Sequence, residues 1–284
     1  MIKVNGLFHS YSKDDIYAVK DISFDIPKGE VFGFLGPSGA GKSTTQSILT
    51  GLLKLQKGEV TVAGYDISKN SQKMFNDIGM SFEQSNVYSK LSAKENLVFY
   101  SKLFDVQTRD PMELLALVGL EGKEKMKAGA FSKGMKHRLT FARSMINNPT
   151  LWFLDEPTTG LDPAIAATIK DIIKKRNEQG VTVFLTTHNM YIADELCDRV
   201  AFIIDGEIVL VDSPKNLKLQ YGEKLVEVEY LADGNLKKGS FSTVVQKDKD
   251  ELAKIVDSNE IRTMHTKEAT LEEIFIKVTG RGLV

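Results

Sequence analysis

The sequence predicts an α/β fold built on a mostly parallel sheet, with an antiparallel β portion and a small α+β appendage at the C-terminal end. Three observations carry this. Short apolar runs alternate with helical stretches over roughly the first 212 residues, and strands separated by helices pair in parallel. A Gly-rich loop joins one of these runs directly to a helix. Beyond Ser213-Pro214 the pattern changes, and strict alternation takes over.

Taken in order, residues 31–35 read as a buried strand broken by one Gly, and a helix is expected over about 42–53. Val60-Thr61-Val62 and residues 78–82 are further strands. A largely helical stretch runs over about 93–148, followed by the apolar strand Leu151-Trp152-Phe153-Leu154. An amphipathic helix is expected over 165–179, then buried strands at 181–185 and 200–204. In the appendage, Val226-Glu227-Val228-Glu229-Tyr230 alternates as a half-exposed antiparallel strand does, and Asp233-Gly234-Asn235 supplies a turn. Thr270 and Glu273 have capping-box spacing, and Leu271, Ile274, Phe275 and Val278 form one helical stripe.

Bulk properties narrow the function classes. The chain has 284 residues and a formal net charge of -1, so it lacks the basic surplus that nucleic-acid phosphates demand. Its one cysteine, Cys197, cannot form an internal disulfide, and a reducing compartment is the default; the residue reads as a small, partly buried side chain, with a reactive thiol as the alternative. The first residues lead straight into a strand-like pattern rather than a signal segment. The strongest apolar runs are about five residues, against the roughly 20 that cross a bilayer. Any service to a membrane is therefore expected to pass through a partner.

Gly36-Pro37-Ser38-Gly39-Ala40-Gly41-Lys42-Ser43 fits G-x-x-x-x-G-K-[ST] at every fixed position, with Thr44 following. Glycines let successive backbone N–H groups turn around phosphate oxygens, and the helix start adds partial positive charge. Lys42 brings a full charge to the β/γ-phosphates, and the Ser43 hydroxyl can ligate Mg²⁺. Asp155 and Glu156 follow the strand at 151–154, at the end of a parallel sheet that faces the ligand crevice. Asp155 is placed to hold Mg²⁺, directly or through water, and Glu156 to orient and deprotonate an attacking water.

With these pieces in place, residues 1–212 resemble the ATP-binding cassette of ABC transporters. The discriminating segment is Phe131-Ser132-Lys133-Gly134-Met135, followed by His137-Arg138, which is similar to the family signature Leu-Ser-Gly-Gly-Gln. It departs at Phe131, Lys133 and Met135, and the form Ser-Lys-Gly-Met is similar to that of drug, bacteriocin and sodium exporters. The resemblance implies a P-loop NTPase core over residues 1–213, with a helical signature subdomain at about 86–149 and an accessory region at 214–284. It implies that Ser132 and Gly134 cap the γ-phosphate bound to the opposite subunit, that Tyr11 stacks on adenine, and that Gln84 contacts Mg²⁺ and senses the membrane partner. It further implies that Asp162, in Gly160-Leu161-Asp162, belongs to the loop crossing to the other subunit, and that His188 is the switch histidine. His9, His137 and His265 have no such place and read as surface or structural. Residues 269–275 look like the terminal helix of the exporter branch, either a packing helix or one with a regulatory or dimer-contact role.

The function so implied is an ATP-hydrolysing transporter subunit with ATP and Mg²⁺ as cofactors, probing no nucleic acid. Its expected partners are a membrane-spanning permease subunit and a second cassette, identical or paralogous. Its expected location is cytoplasmic and peripheral, on the inner face of the cell membrane. The segment 84–100, with Val87, Tyr88, Leu91, Leu97, Phe99 and Tyr100, is where the family docks a coupling helix; internal packing is the other reading. The rival function is a soluble ABC ATPase of translation or DNA repair. Such proteins carry two cassettes or a long coiled-coil insertion, and this chain has neither.

Overall fold

The computed structural model describes residues 1–12, 16–69, 72–222, 224–232 and 234–282. The chain divides into two compact units at Ser213 and Pro214. The first unit begins β1 (Ile2–His9), β2 (Val19–Ile26), β3 (Val31–Leu35), α1 (Lys42–Leu49), β4 (Lys57–Val62), β5 (Tyr65–Asp66), α2 (Met74–Asp77) and β6 (Ile78–Ser81). It continues α3 (Ala93–Ser101), α4 (Pro111–Leu117), α5 (Lys133–Arg143), β7 (Leu151–Asp155), α6 (Pro163–Glu178), β8 (Thr182–Thr187), α7 (Met190–Leu196), β9 (Arg199–Ile204) and β10 (Glu207–Asp212).

Two sheets share this unit. One is antiparallel, in the order β2-β1-β4-β5; the other has the order β10-β9-β3-β8-β7-β6, parallel from β9 to β6 with β10 antiparallel at its edge. Every residue of β3 and β8 is buried, as strands covered on both faces must be, whereas β2 mostly alternates between buried and exposed. Aromatic rings bind the two sheets together. Phe24 of β2 stacks on Phe32 of β3 at 5.6 Å, and Phe34 and Phe153 meet Phe184 at 5.5 and 5.6 Å.

This register brings one set of strand ends together. Leu35 lies opposite Thr187, Asp155 opposite Thr186, and Ser81 opposite Leu154, so the loops after β3, β8, β7 and β6 open on one crevice. The helix α5 is seated on the sheet by close approach. A side chain at Gly79 would meet the Ser144 carbonyl oxygen at 2.1 Å. The Trp152 indole donates to Ser144 Oγ at 2.8 Å, and Phe141 lies 4.9 Å from the Trp152 ring.

The second unit runs α8 (Pro214–Tyr221), β11 (Leu225–Ala232), β12 (Asn235–Ser242), α9 (Gln246–Ser258), β13 (Glu260–Lys267) and α10 (Leu271–Thr279). Its sheet has the order β12-β11-β13, all antiparallel. Val228, Phe241 and Ile255 form its core, with Val226, Tyr230, Leu252 and Ile261 packed around them. The alternation read in the sequence explains this face, and Glu227 and Glu229 of the opposite parity pair with Lys238 at 3.6 and 3.5 Å. The capping box at Thr270 and Glu273 is formed, and Leu271, Ile274 and Phe275 are buried. Of the turn expected at 233–235, Asp233 lies outside the described residues; Ala232 and Asn235 on either side are paired.

The structure departs from the sequence reading in places. Helix α1 stops at Leu49 rather than near residue 53, because Gly51 takes a left-handed φ of 73° and such a residue ends a helix. Strands β2 and β10, and in the second unit α9 and β13, add to the expected elements. No helix among the described residues is long and apolar enough to cross a membrane.

Candidate nucleotide site

The crevice holds a cleft of about 490 Å³ lined by residues of six segments, among them Tyr11, Ser38, Lys42, Ser43, Asp155, Glu156 and His188. The Gly-rich loop forms its floor. Gly36 cannot bear a side chain, since a Cβ there would meet the Ile203 carbonyl oxygen at 2.2 Å. Gly41 has φ 105°, and its Cβ would lie 2.6 Å from the Ala18 carbonyl oxygen, so the loop lies flat on β9 and on the backbone before β2 only because both positions are glycine. Gly39, Gly41 and Thr44 also line the cleft, whereas Gly36, Pro37 and Ala40 are not among its lining residues.

Lys42 Nζ donates to the Gly36 and Pro37 carbonyls at 2.6 and 2.9 Å. Burial lowers its pKa, and the carboxylates of Glu156, Asp155 and Glu83 oppose that shift. Burial is also the main cause that raises the pKa of Asp155, opposed by the Thr186 hydroxyl, which donates to Asp155 Oδ1 at 2.5 Å. Among the described residues the cleft thus sets the Lys42 cation against three carboxylates in a partly desolvated space, which strengthens every charge interaction.

Glu156 is 6% exposed and its backbone is left-handed, with φ 48°. A non-glycine residue in that region carries strain that surrounding bonds must offset. Those bonds are present. The Glu156 carboxylate accepts from the hydroxyls of Thr159 and Thr187 at 2.9 Å and from the His188 N–H at 2.8 Å, and Oε1 lies 2.6 Å from His188 Nδ1. Its own N–H donates to the Thr186 carbonyl at 2.9 Å. The side chain is therefore fixed before any ligand arrives.

Tyr11 is 68% exposed at the rim, and its hydroxyl lies 3.1 Å from Thr44 Oγ1. That leaves an open aromatic face, as stacking on a base requires. Gln84 is exposed and does not line the cleft; Glu83 does. The charge of Glu83 is felt at Lys42, Asp155 and His137.

Ser132, Gly134 and Asp162 do not join this cleft. Ser132 caps α5 by accepting from the Met135 N–H at 3.2 Å, and Asp162 caps α6 by accepting from the Ile165 N–H at 3.0 Å. They lie near each other, since a side chain at Gly134 would meet Leu161 Cδ2 at 3.7 Å. Cys197 is buried, its thiol pKa is raised by that burial, and a Cβ on Gly33 would sit 2.8 Å from its Sγ. It is a packing residue, because the thiolate a reactive cysteine needs is disfavoured there.

The family model described as ABC transporter matches residues 19–159. Over the whole of this chain and 94% of its own length, the fluoroquinolones export ATP-binding protein MT2762 of Mycobacterium tuberculosis is 48% identical. The linearmycin resistance ATP-binding protein LnrL of Bacillus subtilis is 38% identical over 78% of this chain and 72% of its own. Among solved structures, the ATP-binding cassette MJ0796, described as a dimer in a post-hydrolysis state with ADP and Pi, superposes with a TM-score of 0.69 at 30% identity, covering 75% of this chain and 98% of that one. The chain belongs to the ABC transporter family, as an ATP-binding cassette subunit.

Proposed function

We propose that this chain hydrolyses ATP between two cassettes to power export through a separate membrane-spanning partner. The observation that carries the reading is the meeting, in one cleft, of Lys42 and Ser43 with the fixed carboxylate of Glu156. Lys42 and the loop N–H groups bind the phosphates; Tyr11 offers its open ring to the base. Glu156, pinned by two threonine hydroxyls and His188, takes the proton of the attacking water. His188, 57% exposed on its side chain, is free to turn from Glu156 toward the γ-phosphate.

The residues fit Mg²⁺ bound together with the nucleotide. Mg²⁺ takes one or two carboxylates and completes its shell with water and substrate phosphates, and Ser43, Asp155 and Glu83 border the cleft without forming a closed cage. When bound, the ion would neutralise charge that develops on the phosphates. Glu83, in place of Gln84, is the residue from the end of β6 that would face it.

Ser132 and Gly134 would reach the phosphates of a second copy, with Asp162 in the loop that crosses between the two. The solved dimeric cassette supports that reading. The membrane partner has a candidate seat beside α3. Tyr88 and Phe99 are exposed and meet edge to face at 5.0 Å. Buried Asn96 pins the loop of Tyr88 through bonds to Tyr88 and Ser92, and Arg143 lies 4.3 Å over the Tyr100 ring. Leu97 is fully buried and belongs to the internal core instead. Binding there would hold the chain at a membrane surface. The names of the relatives support export of, or resistance to, antimicrobial compounds as the class of task, with the cargo chosen by the membrane partner.

The test is Glu156→Gln. Steady-state ATP turnover is expected to fall by about 10²–10⁴-fold with ATP binding retained. Turnover near the wild-type rate removes Glu156 as the base and leaves His188 and Glu83 as the alternatives.

A further inference from the structure

Strand β1 ends at His9, and Tyr11, which offers its ring to the base, stands two residues beyond it. An exposed segment just outside a sheet is ordinarily mobile. Here the backbone is tied down at Ser10. The Gln56 side-chain amide accepts from the Ser10 N–H at 2.8 Å, and its Nε2 donates to the Ser10 carbonyl oxygen at 2.8 Å. The Ser10 hydroxyl lies 2.9 and 2.7 Å from the carbonyl oxygens of Ser12 and Ile16.

The place of Gln56 in the fold explains the fit. Strands β1 and β4 are antiparallel, with Phe8 opposite Lys57 at this end. Gln56 is the residue just before β4, and its amide bears the donor and the acceptor that a strand backbone would present. The two bonds therefore add a rung beyond Phe8 and Lys57, made by a side chain. They also fix which way the amide faces, because a turned amide would set N–H against N–H and oxygen against oxygen.

Two further contacts hold the ring itself. Its hydroxyl lies 3.1 Å from Thr44 Oγ1, in the first turn of α1. The buried His9 ring meets it edge to face at 4.9 Å. The ring is thus held at its backbone, at its hydroxyl and against His9, and still leaves most of its surface open.

We propose that Gln56 is a positioning residue for the base of ATP: by holding the Ser10 backbone as an extra rung of the sheet, it sets the Tyr11 ring where a base stacks. The affinity for the base depends on Gln56, and the affinity for the triphosphate does not. This inference rests on the reading of Tyr11 as the ring that takes the base.

The experiment measures, by isothermal titration to the full-length protein, the binding of Mg-ATP and of inorganic triphosphate with Mg²⁺, which lacks the base. It compares wild type with Gln56→Ala, Gln56→Glu, Tyr11→Ala and the double variant of Gln56→Ala with Tyr11→Ala. Gln56 is exposed, so its variants should melt close to the wild-type temperature. Tyr11→Ala should weaken ATP binding by about 10- to 100-fold, the worth of one stacked base. Gln56→Ala should weaken ATP by about five- to tenfold and inorganic triphosphate by less than about twofold. Gln56→Glu keeps the acceptor but turns a second oxygen on the Ser10 carbonyl, and should lose at least as much. Because Gln56 acts through the ring, the double variant should bind ATP no more weakly than Tyr11→Ala alone. Wild-type ATP affinity in the Gln56 variants, with Tyr11→Ala weakened, overturns the inference and leaves the role of Tyr11 intact. Equal losses for ATP and triphosphate, or additive losses in the double variant, overturn it as well. Unchanged ATP binding in Tyr11→Ala removes the role of Tyr11 itself, and the inference with it.

Discussion

The cleft around Lys42 and the helix starts at Ser132 and Asp162 hold their functional side chains in different ways. In the cleft, Glu156 is bound by Thr159, Thr187 and His188, Asp155 by Thr186, and Lys42 by two loop carbonyls. Half of these bonds join residues distant in sequence, and one residue pays for its place with a left-handed backbone. At the helix starts, among the described residues, the Ser132 and Asp162 side chains accept from N–H groups of their own first turns. Their work within the chain is complete as ordinary caps. A network that fixes side chains before ligand arrives is what chemistry requires; a simple cap is all a surface needs when its ligand sits on another subunit.

Substitutions can break this comparison from either side. Lys42→Ala should have the largest effect, since among the described residues that line the cleft Lys42 is the one lysine or arginine set against three carboxylates. ATP turnover is expected at background, with binding weakened by about 10- to 100-fold; isothermal titration and a phosphate-release assay check both, and near-normal turnover at saturating ATP contradicts the assignment. Ser132→Asp comes next. Aspartate caps a helix as well as serine does, so the melting temperature should hold, but a carboxylate facing a γ-phosphate in trans should lower turnover by about 10²-fold. A variant as active as wild type would leave Ser132 a cap and nothing more.

Tyr88→Glu should act outside the chemistry. Soluble ATPase activity should stay within about twofold, because Tyr88 is 48% exposed and lies outside the cleft, while flotation with membranes should be lost. A collapsed thermal transition would instead assign Tyr88 to internal packing. Asp162→Asn should show the smallest effect on stability, within about 0.5 kcal/mol, since asparagine is an equal cap. Any loss of turnover beyond that would show a charge at work across the subunit gap.

The sequence disclosed the cleft more fully than the rest. Residues 36–43 and 155–156 are contiguous motifs whose spacing is set by a strand end and a loop, so their place could be read directly. Gln84 could not be separated from Glu83 in this way, because nothing in Phe82-Glu83-Gln84 shows where β6 releases the chain. His137 had no signature at all; that it is buried is a tertiary fact. In the second unit the alternation at 226–230 was legible. By contrast, α9 buries little beyond Ile255 and β13 is mostly polar, and segments with so few apolar side chains carry a weak periodic signal.

The central claim is that each hydrolytic site is shared between two cassettes, and the oligomeric state of Glu156→Gln tests it most directly. The variant should bind ATP without consuming it, and the closed pair should accumulate. Size-exclusion chromatography with light scattering, run with and without Mg-ATP, should show a monomer that becomes a dimer only with ATP, and the added Ser132→Asp change should abolish the shift. A protein that stays monomeric with ATP demonstrably bound, or a dimer indifferent to Ser132→Asp, would contradict the account.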